Sequence, residues 1–205
     1  MTAAHLELLV EEPSMEAFLR ALLPRLLPRG RSFEVHAFQG KADLLGKLQA
    51  RLHAYAKWLP ENWRVVVVVD RDDEDCLLLK GRLEGFAAAA GLLSRSRAGG
   101  AAWQLVNRVA VEELEAWYFG DWAAVCSAYP KVSAHVPNKA PYREPDSIRG
   151  GTWEAFERVL RQYGYFKTGL PKIEAGRSLG ALIDAQRCRS RSFGAFRDAL
   201  LEAVT

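Results

Sequence analysis

The segment Arg64-Val65-Val66-Val67-Val68-Val69-Asp70 constrains the fold more than any other part of this chain. Side chains of a strand alternate between the two faces of a sheet, so a strand that is β-branched and apolar at every position is covered on both faces. Such a strand belongs in the middle of a parallel sheet with helices above and below it. The run is far shorter than the roughly 20 apolar residues that cross a bilayer, and it ends in a carboxylate, so it does not read as a membrane span. The sequence does not open on a basic segment followed by an apolar one, which argues against a signal peptide and for a cytoplasmic protein.

The same grammar surrounds the valines. Residues 5–10 are apolar and end in Glu11-Glu12; Pro13-Ser14 then leads into helical apolar spacing over 15–27, which Pro28-Arg29-Gly30 stops. A second strand is expected at 33–38, Gly40 breaks it, and an amphipathic helix over 42–58 closes at Pro60. After the valine strand come a polar turn at 71–75, with Asp75 as a candidate cap, and a helix over 76–90 ended by Gly91. A fourth strand at 103–110 leads to a helix at 111–119. This alternation predicts an α/β fold: an open, mainly parallel four-stranded sheet with helices on both faces.

Past residue 121 the pattern changes. Residues 121–129 read as helix, 130–151 are rich in Pro, Lys and Arg, and helical spacing returns at 152–163, 173–185 and 192–204. The expectation is an α/β core over 1–121 and a helical, basic C-terminal layer over 122–205 packed on it as one compact domain. At 205 residues and 49% hydrophobic content the chain can bury such a core. Residues 1–121 carry 15 Lys and Arg against 17 Asp and Glu, and residues 122–205 carry 13 against 8, so an acidic part precedes a basic one. That asymmetry reads either as ordinary surface variation or as a basic face for phosphate backbone.

In an open parallel sheet, functional side chains gather beyond the carboxyl ends of the strands. Glu11 follows the first strand, and Asp70 and Asp72 follow the third, so all three are expected at one crevice. Carboxylates of this kind suit Mg²⁺, which takes one or two of them together with waters and phosphate oxygens. An isolated Asp-x-Asp has a plainer reading as part of an acidic turn. Glu112, Glu113 and Glu115 add carboxylates at the start of the next helix.

Taken together, Leu8-Leu9-Val10-Glu11, Val67-Val68-Val69-Asp70-Arg71-Asp72-Asp73, the stretch from Asn107 through Val111-Glu112-Glu113-Leu114-Glu115-Ala116-Trp117, and the late Pro171-Lys172 and Ser190-Arg191-Ser192-Phe193 resemble the domain of unknown function 4276 family. More broadly, the order strand-Glu-helix, strand-Asp-x-Asp-helix resembles the Toprim fold, which includes the overcoming-lysogenization-defect nucleases. The resemblance covers most of the chain. It implies a Mg²⁺-dependent (or Mn²⁺-dependent) nuclease acting on DNA or RNA, with Asp70 and Asp72 holding the metal and Glu11 serving as general acid/base or as ligand to a second ion. Glu113, or Glu115 in its place, is the candidate further ligand. It also implies a separate ABC-type or AAA-type ATPase partner, often in phage defence, and a homo-oligomer is compatible with it. One departure stands out, because Toprim sequences usually place Gly after the first glutamate and here Glu12 follows Glu11. A catalytically degenerate regulatory or binding subunit of an ATPase complex is therefore the alternative.

Other residues offer the same chemistry less directly. Lys172, Arg189 and Arg191 read as phosphate contacts or as solvated surface, and Lys139 and Arg143 likewise. Trp117, Tyr118, Trp122 and Trp153 read as core packing before base stacking. The four histidines lack metal-ligand spacing, the three cysteines are unpaired in spacing, and no Gly-x-x-x-x-Gly-Lys-Ser/Thr loop is present, so ATP hydrolysis is not expected of this chain.

Overall fold

A computed structural model of the chain describes residues 2–205. The valine run forms the body of strand β3 (Trp63–Asp70), which lies between β1 (His5–Val10) and β4 (Leu105–Ala110); β2 (Ser32–Ala37) flanks β1 on its other side. All three pairings are parallel, giving an open sheet of order β2-β1-β3-β4. Alternate valines serve opposite cores. Val66 and Val68 join Leu6, Leu8 and Val10 beneath helix α1 (Pro13–Leu26), whereas Val65, Val67 and Val69 join Leu9 beneath α2 (Lys41–Trp58) and α3 (Cys76–Ala89). The sheet is thus covered on both faces, as the unbroken apolar run requires.

The C-terminal half completes the α1 side. It contributes α4 (Leu114–Gly120), α5 (Trp122–Ala128), α6 (Thr152–Gln162), α7 (Lys172–Leu182) and α8 (Arg191–Val204), with three short 3₁₀ turns between α5 and α6. Its aromatic residues Trp117, Tyr118, Phe156, Phe193 and Phe196 share one apolar cluster with Phe18 of α1 and the sheet. Trp117, Tyr118 and Trp122 are buried there, so they pack the interior and are not stacking surfaces. Helix α7 lies against α1 at very close range: a Cβ at Gly176 would fall 2.5 Å from the Ser14 carbonyl oxygen, and one at Gly180 would fall 2.2 Å from that of Phe18.

Element boundaries follow the expected ones to within two residues except at two helices: α7 ends at Leu182, three residues before the expected 185, and α4 starts late. The helix after β4 begins at Leu114, not at 111, because Glu112 takes a left-handed φ of 65° and Glu113 is extended. This turn changes which glutamates face inward. Among the described residues, no helix is long and apolar enough to cross a membrane.

The strand order fixes where a site can lie. The chain moves from β1 outward to β2, then returns across β1 to β3, so its winding reverses between β1 and β3. Loops leaving the carboxyl ends of these two neighbours part in opposite directions and leave a crevice between them.

Candidate functional site

Glu11 and Asp70 meet at that crevice. Val10 is in register with Val68, so Glu11 leaves β1 beside the end of β3, one residue before the level of Asp70. Glu11 Oε2 accepts the Asp70 backbone N–H at 3.2 Å. Asp70 itself is only 6% exposed, and its Oδ1 is buried with no hydrogen-bond partner among the described residues. Burial, followed by the nearby Glu11, Glu115, Glu12 and Asp72 carboxylates, pushes the Asp70 carboxyl well above its usual range.

Two glutamates share this strain. Glu11 is raised to about 7, chiefly by burial, against the opposing pull of Lys41 and of the Asp70 amide and with the support of Asp72 and Glu12. Glu115, in the first turn of α4 and 2% exposed, is also raised to about 7 by burial, against Lys172 and with Glu113 and Glu12 adding to the rise. Glu12 stands at the head of α1, where its Oε1 accepts from the Ser14 hydroxyl.

Asp72 is placed differently. It adopts a left-handed φ of 50°, its N–H donates to the Glu112 carbonyl at 2.9 Å, and its Oδ2 accepts from Lys41 Nζ at 2.5 Å. Left-handed backbone at non-glycine residues costs on the order of 1 kcal/mol or more each. Here two such residues, Asp72 and Glu112, hold one another, and Arg71 pairs with the Glu112 carboxylate across the same turn. Glu113 turns away: its Oε2 accepts from Thr152 Oγ1 at 2.9 Å and from the Trp153 amide at 2.8 Å, so it caps α6. Asp75 caps α3 by accepting from the Leu77 and Leu78 amides.

Of the basic candidates, Lys172 reaches the cluster and the two arginines do not contact it. Lys172 is half-buried at the start of α7, with Nζ 4.8 Å from the Trp153 ring centroid. Burial opposes its charge, but Glu115, Glu12, Glu113 and Asp70 outweigh burial and raise its pKa. Arg189 and Arg191 are exposed and line a neighbouring recess of about 350 Å³ that also includes Val111, Asp146 and Ser147. Lys139 and Arg143 are exposed on the long connection before α6. A cavity of about 540 Å³ opens at the opposite, amino-terminal end of the strands, between Arg64, Arg95, Trp103 and Glu202, and takes no part in this cluster. His5 and His36 are both engaged with Glu7 on the α2 face.

Sequence reasoning overlooked Lys41. The signal was available, since Lys41 follows β2 directly after Gly40, and every strand of a parallel sheet delivers its next residues to the same edge. The Arg71 to Glu112 pair was also overlooked, and no local pattern marks it.

The donor set can be tested against a divalent cation. Oxygen-only ligands and a buried, unpartnered carboxylate oxygen suit a hard ion. Even so, among the described residues no group of three or more His, Cys, Asp or Glu side chains is gathered closely enough to hold one. The third expected carboxylate, Asp72, is engaged by Lys41 instead. The residues therefore fit the ion in kind, and one of them is held aside.

The family model for the domain of unknown function DUF4276 matches residues 10–201, from the end of β1 to the last turns of α8. The chain belongs to this family. The DUF4276 match contains Glu11, Asp70, Asp72, Glu115, Lys41 and Lys172, so the whole cluster lies within the family domain. No curated protein matches the chain, and no solved structure matches it.

Proposed function

We propose that this DUF4276 chain is a Toprim-like nuclease that cleaves DNA or RNA phosphodiesters with Mg²⁺ or Mn²⁺ at the carboxyl ends of β1 and β3. The observation that carries the reading is the Asp70 side chain, a buried carboxylate with an unpartnered oxygen, set among Glu11, Glu12 and Glu115. A cluster of this kind is costly in a folded protein unless a cation or a proton neutralises it. Asp70 and, once released, Asp72 would hold the ion, with Glu11 as general acid/base or as ligand to a second ion. Bound there, it would supply positive charge to the oxygens of a phosphodiester under attack.

The chain's own residues would do the rest. A Glu11 carboxyl near 7 is poised to hold or release a proton at neutral pH, as a general acid/base must. Lys172, kept charged by its carboxylate neighbours, is placed to attract a phosphate at the rim. Arg189 and Arg191, in the adjacent recess, would contact backbone phosphates further along a nucleic acid. The sequence has no phosphate-binding loop for ATP, so coupling to ATP would require a separate ABC-type or AAA-type ATPase, with phage defence as the setting that the Toprim likeness suggests.

Purified protein incubated with Mg²⁺ or Mn²⁺ and single- or double-stranded DNA and RNA, with and without a neighbouring ATPase, should cleave at least one substrate, and Asp70→Ala and Glu11→Ala should abolish cleavage. Cleavage that survives both substitutions defeats the proposal. The pairing of Lys41 with Asp72, and Glu12 at the position where Toprim sequences carry Gly, favour a second reading as a regulatory subunit. In that case no divalent ion stabilises the fold at millimolar concentration.

A further inference from the structure

Lys41 is built into the site as firmly as the carboxylates. Gly40, with a φ of 94° that a side chain would strain, turns the chain out of β2, and its N–H donates to the Glu11 carbonyl at 2.9 Å. That bond sets Lys41 directly over the crevice. Its side chain is 14% exposed, and Nζ meets Asp72 Oδ2 at 2.5 Å, the Arg71 carbonyl at 3.1 Å and Glu74 Oε1 at 3.2 Å. An ammonium has three N–H donors; two are given to the Asp72 and Arg71 oxygens, and the Glu74 carboxylate lies within ion-pair distance of the same nitrogen.

A lysine held between two carboxylates and a carbonyl resembles the environment of a bound hard cation, with ammonium in its place. It also accounts for the one mismatch at the site, because the oxygen that Nζ holds is the one missing from the set around Asp70. Asp72 is restrained twice, by its left-handed backbone bonded to Glu112 and by the lysine at its carboxylate. We propose that Lys41 is a positioning residue that acts as an internal latch, holding Asp72 out of the metal-binding set until a divalent cation displaces the ammonium. The inference rests on the metal-centre reading above and adds a mechanism of control to it. In such a release the lysine would exchange its carboxylate partners for water and free the Asp72 side chain, two residues beyond Asp70, while the Asp72 N–H keeps its bond to the Glu112 carbonyl.

The test measures metal binding, not cleavage. Mn²⁺ is titrated calorimetrically into the full chain and into Lys41→Met, Lys41→Arg and Asp70→Asn. Lys41→Met is expected to bind Mn²⁺ roughly tenfold more tightly, within the range usual for two coupled ligands, while Lys41→Arg keeps the wild-type affinity. Removing a positive charge would itself favour a cation, so a second measurement follows the latch directly in the wild type. Acetylation of Lys41, read by mass spectrometry, should rise several-fold at saturating Mn²⁺ as Nζ leaves Asp72 and Glu74. Unchanged Lys41 labelling, or equal or weaker Mn²⁺ binding by Lys41→Met, overturns the latch. If binding is nevertheless lost in Asp70→Asn, the metal centre stands without it. Absence of Mn²⁺ binding in both the wild type and Lys41→Met defeats latch and centre together. Should Lys41→Met fail to fold, the labelling of the wild type decides.

Discussion

The backbone N–H of Asp70 donates to Glu11 Oε2 at 3.2 Å, joining the ends of the two strands between which the winding of the sheet reverses. The contact orients Glu11 but leaves the Asp70 carboxyl itself unrelieved, since its Oδ1 has no partner among the described residues.

Replacing that carboxylate with an amide should therefore stabilise the metal-free protein. Asp70→Asn replaces a buried carboxyl crowded by other carboxylates with an amide that cannot ionise. A gain of about 1–3 kcal/mol is expected, the usual scale for an uncompensated buried polar group. Urea denaturation of the two proteins in chelator measures it. The same variant should lose all stabilisation by Mn²⁺, and a variant less stable than the wild type in chelator would show that Asp70 is satisfied in a way the geometry does not reveal.

Stability should fall as pH rises from about 4.5 to about 7. Glu11 and Glu115 sit near 7 in the fold against an ordinary value of 4.5, so over that window the folded chain binds more protons than the unfolded one. For the fully buried Glu115 alone the loss is on the order of 3 kcal/mol. Glu7 has the opposite sign. Burial would raise it, but hydrogen bonds from Tyr55, His36 and His5 outweigh burial and hold it below 4.5. Its contribution is present above that value and is lost as pH falls through the depressed one. Urea midpoints should accordingly be highest near pH 5. Saturating Mn²⁺, which favours the ionised carboxylates, should flatten the decline toward pH 7. A midpoint that climbs between pH 5 and 7 in chelator contradicts the assignment, and Glu7→Gln should blunt only the acid side.

Much of this architecture is legible in the sequence because its signals are local. Five valines in a row identify a doubly covered strand, and a parallel sheet brings Glu11 and Asp70 to one edge once the strands are known. The pairing of Lys41 with Asp72 is not local, since it joins loops that leave β2 and β3 and depends on strand order. The choice between Glu113 and Glu115 turns on the left-handed Glu112, a conformation that non-glycine residues rarely adopt and that composition does not announce. That single turn delays α4 to Leu114, leaves Glu113 free to cap α6 and carries Glu115 inward.

Glu113 and Glu115 should consequently separate in mutants. Glu113→Ala removes the acceptor for Thr152 Oγ1 and the Trp153 amide and is expected to cost about 1 kcal/mol, as loss of a helix cap usually does. It should leave Mn²⁺ affinity nearly unchanged. Glu115→Gln removes a buried charge, should raise stability in chelator at pH 7, and should weaken Mn²⁺ binding through the lost negative potential at Asp70. Calorimetric titration of both variants checks the assignment; a large loss of affinity in Glu113→Ala would place that side chain among the ligands.

The contact between α1 and α7 ties the C-terminal layer to the crevice. Ser14 lies two residues beyond Glu12 and donates to it, while its carbonyl faces Gly176; four residues further along α7, Gly180 faces the carbonyl of Phe18. Any side chain at these glycines would meet rigid helical backbone, which cannot swing aside as a flexible side chain could. Gly180→Ala should therefore force the helices apart and destabilise the protein by about 1–3 kcal/mol or more. Gly194→Ala in α8 has open space around its Cβ and should be neutral or stabilising by about 0.4–1 kcal/mol, so it controls for the general effect of alanine in a helix. Because α7 begins with Lys172, its displacement should also draw that ammonium away from Glu115 and Asp70. Weaker binding of inorganic phosphate by Gly180→Ala at a temperature where it remains folded, with Gly194→Ala unchanged, would locate the coupling in this helix pair; equal phosphate binding by both would show that Lys172 keeps its place regardless of how α7 is seated.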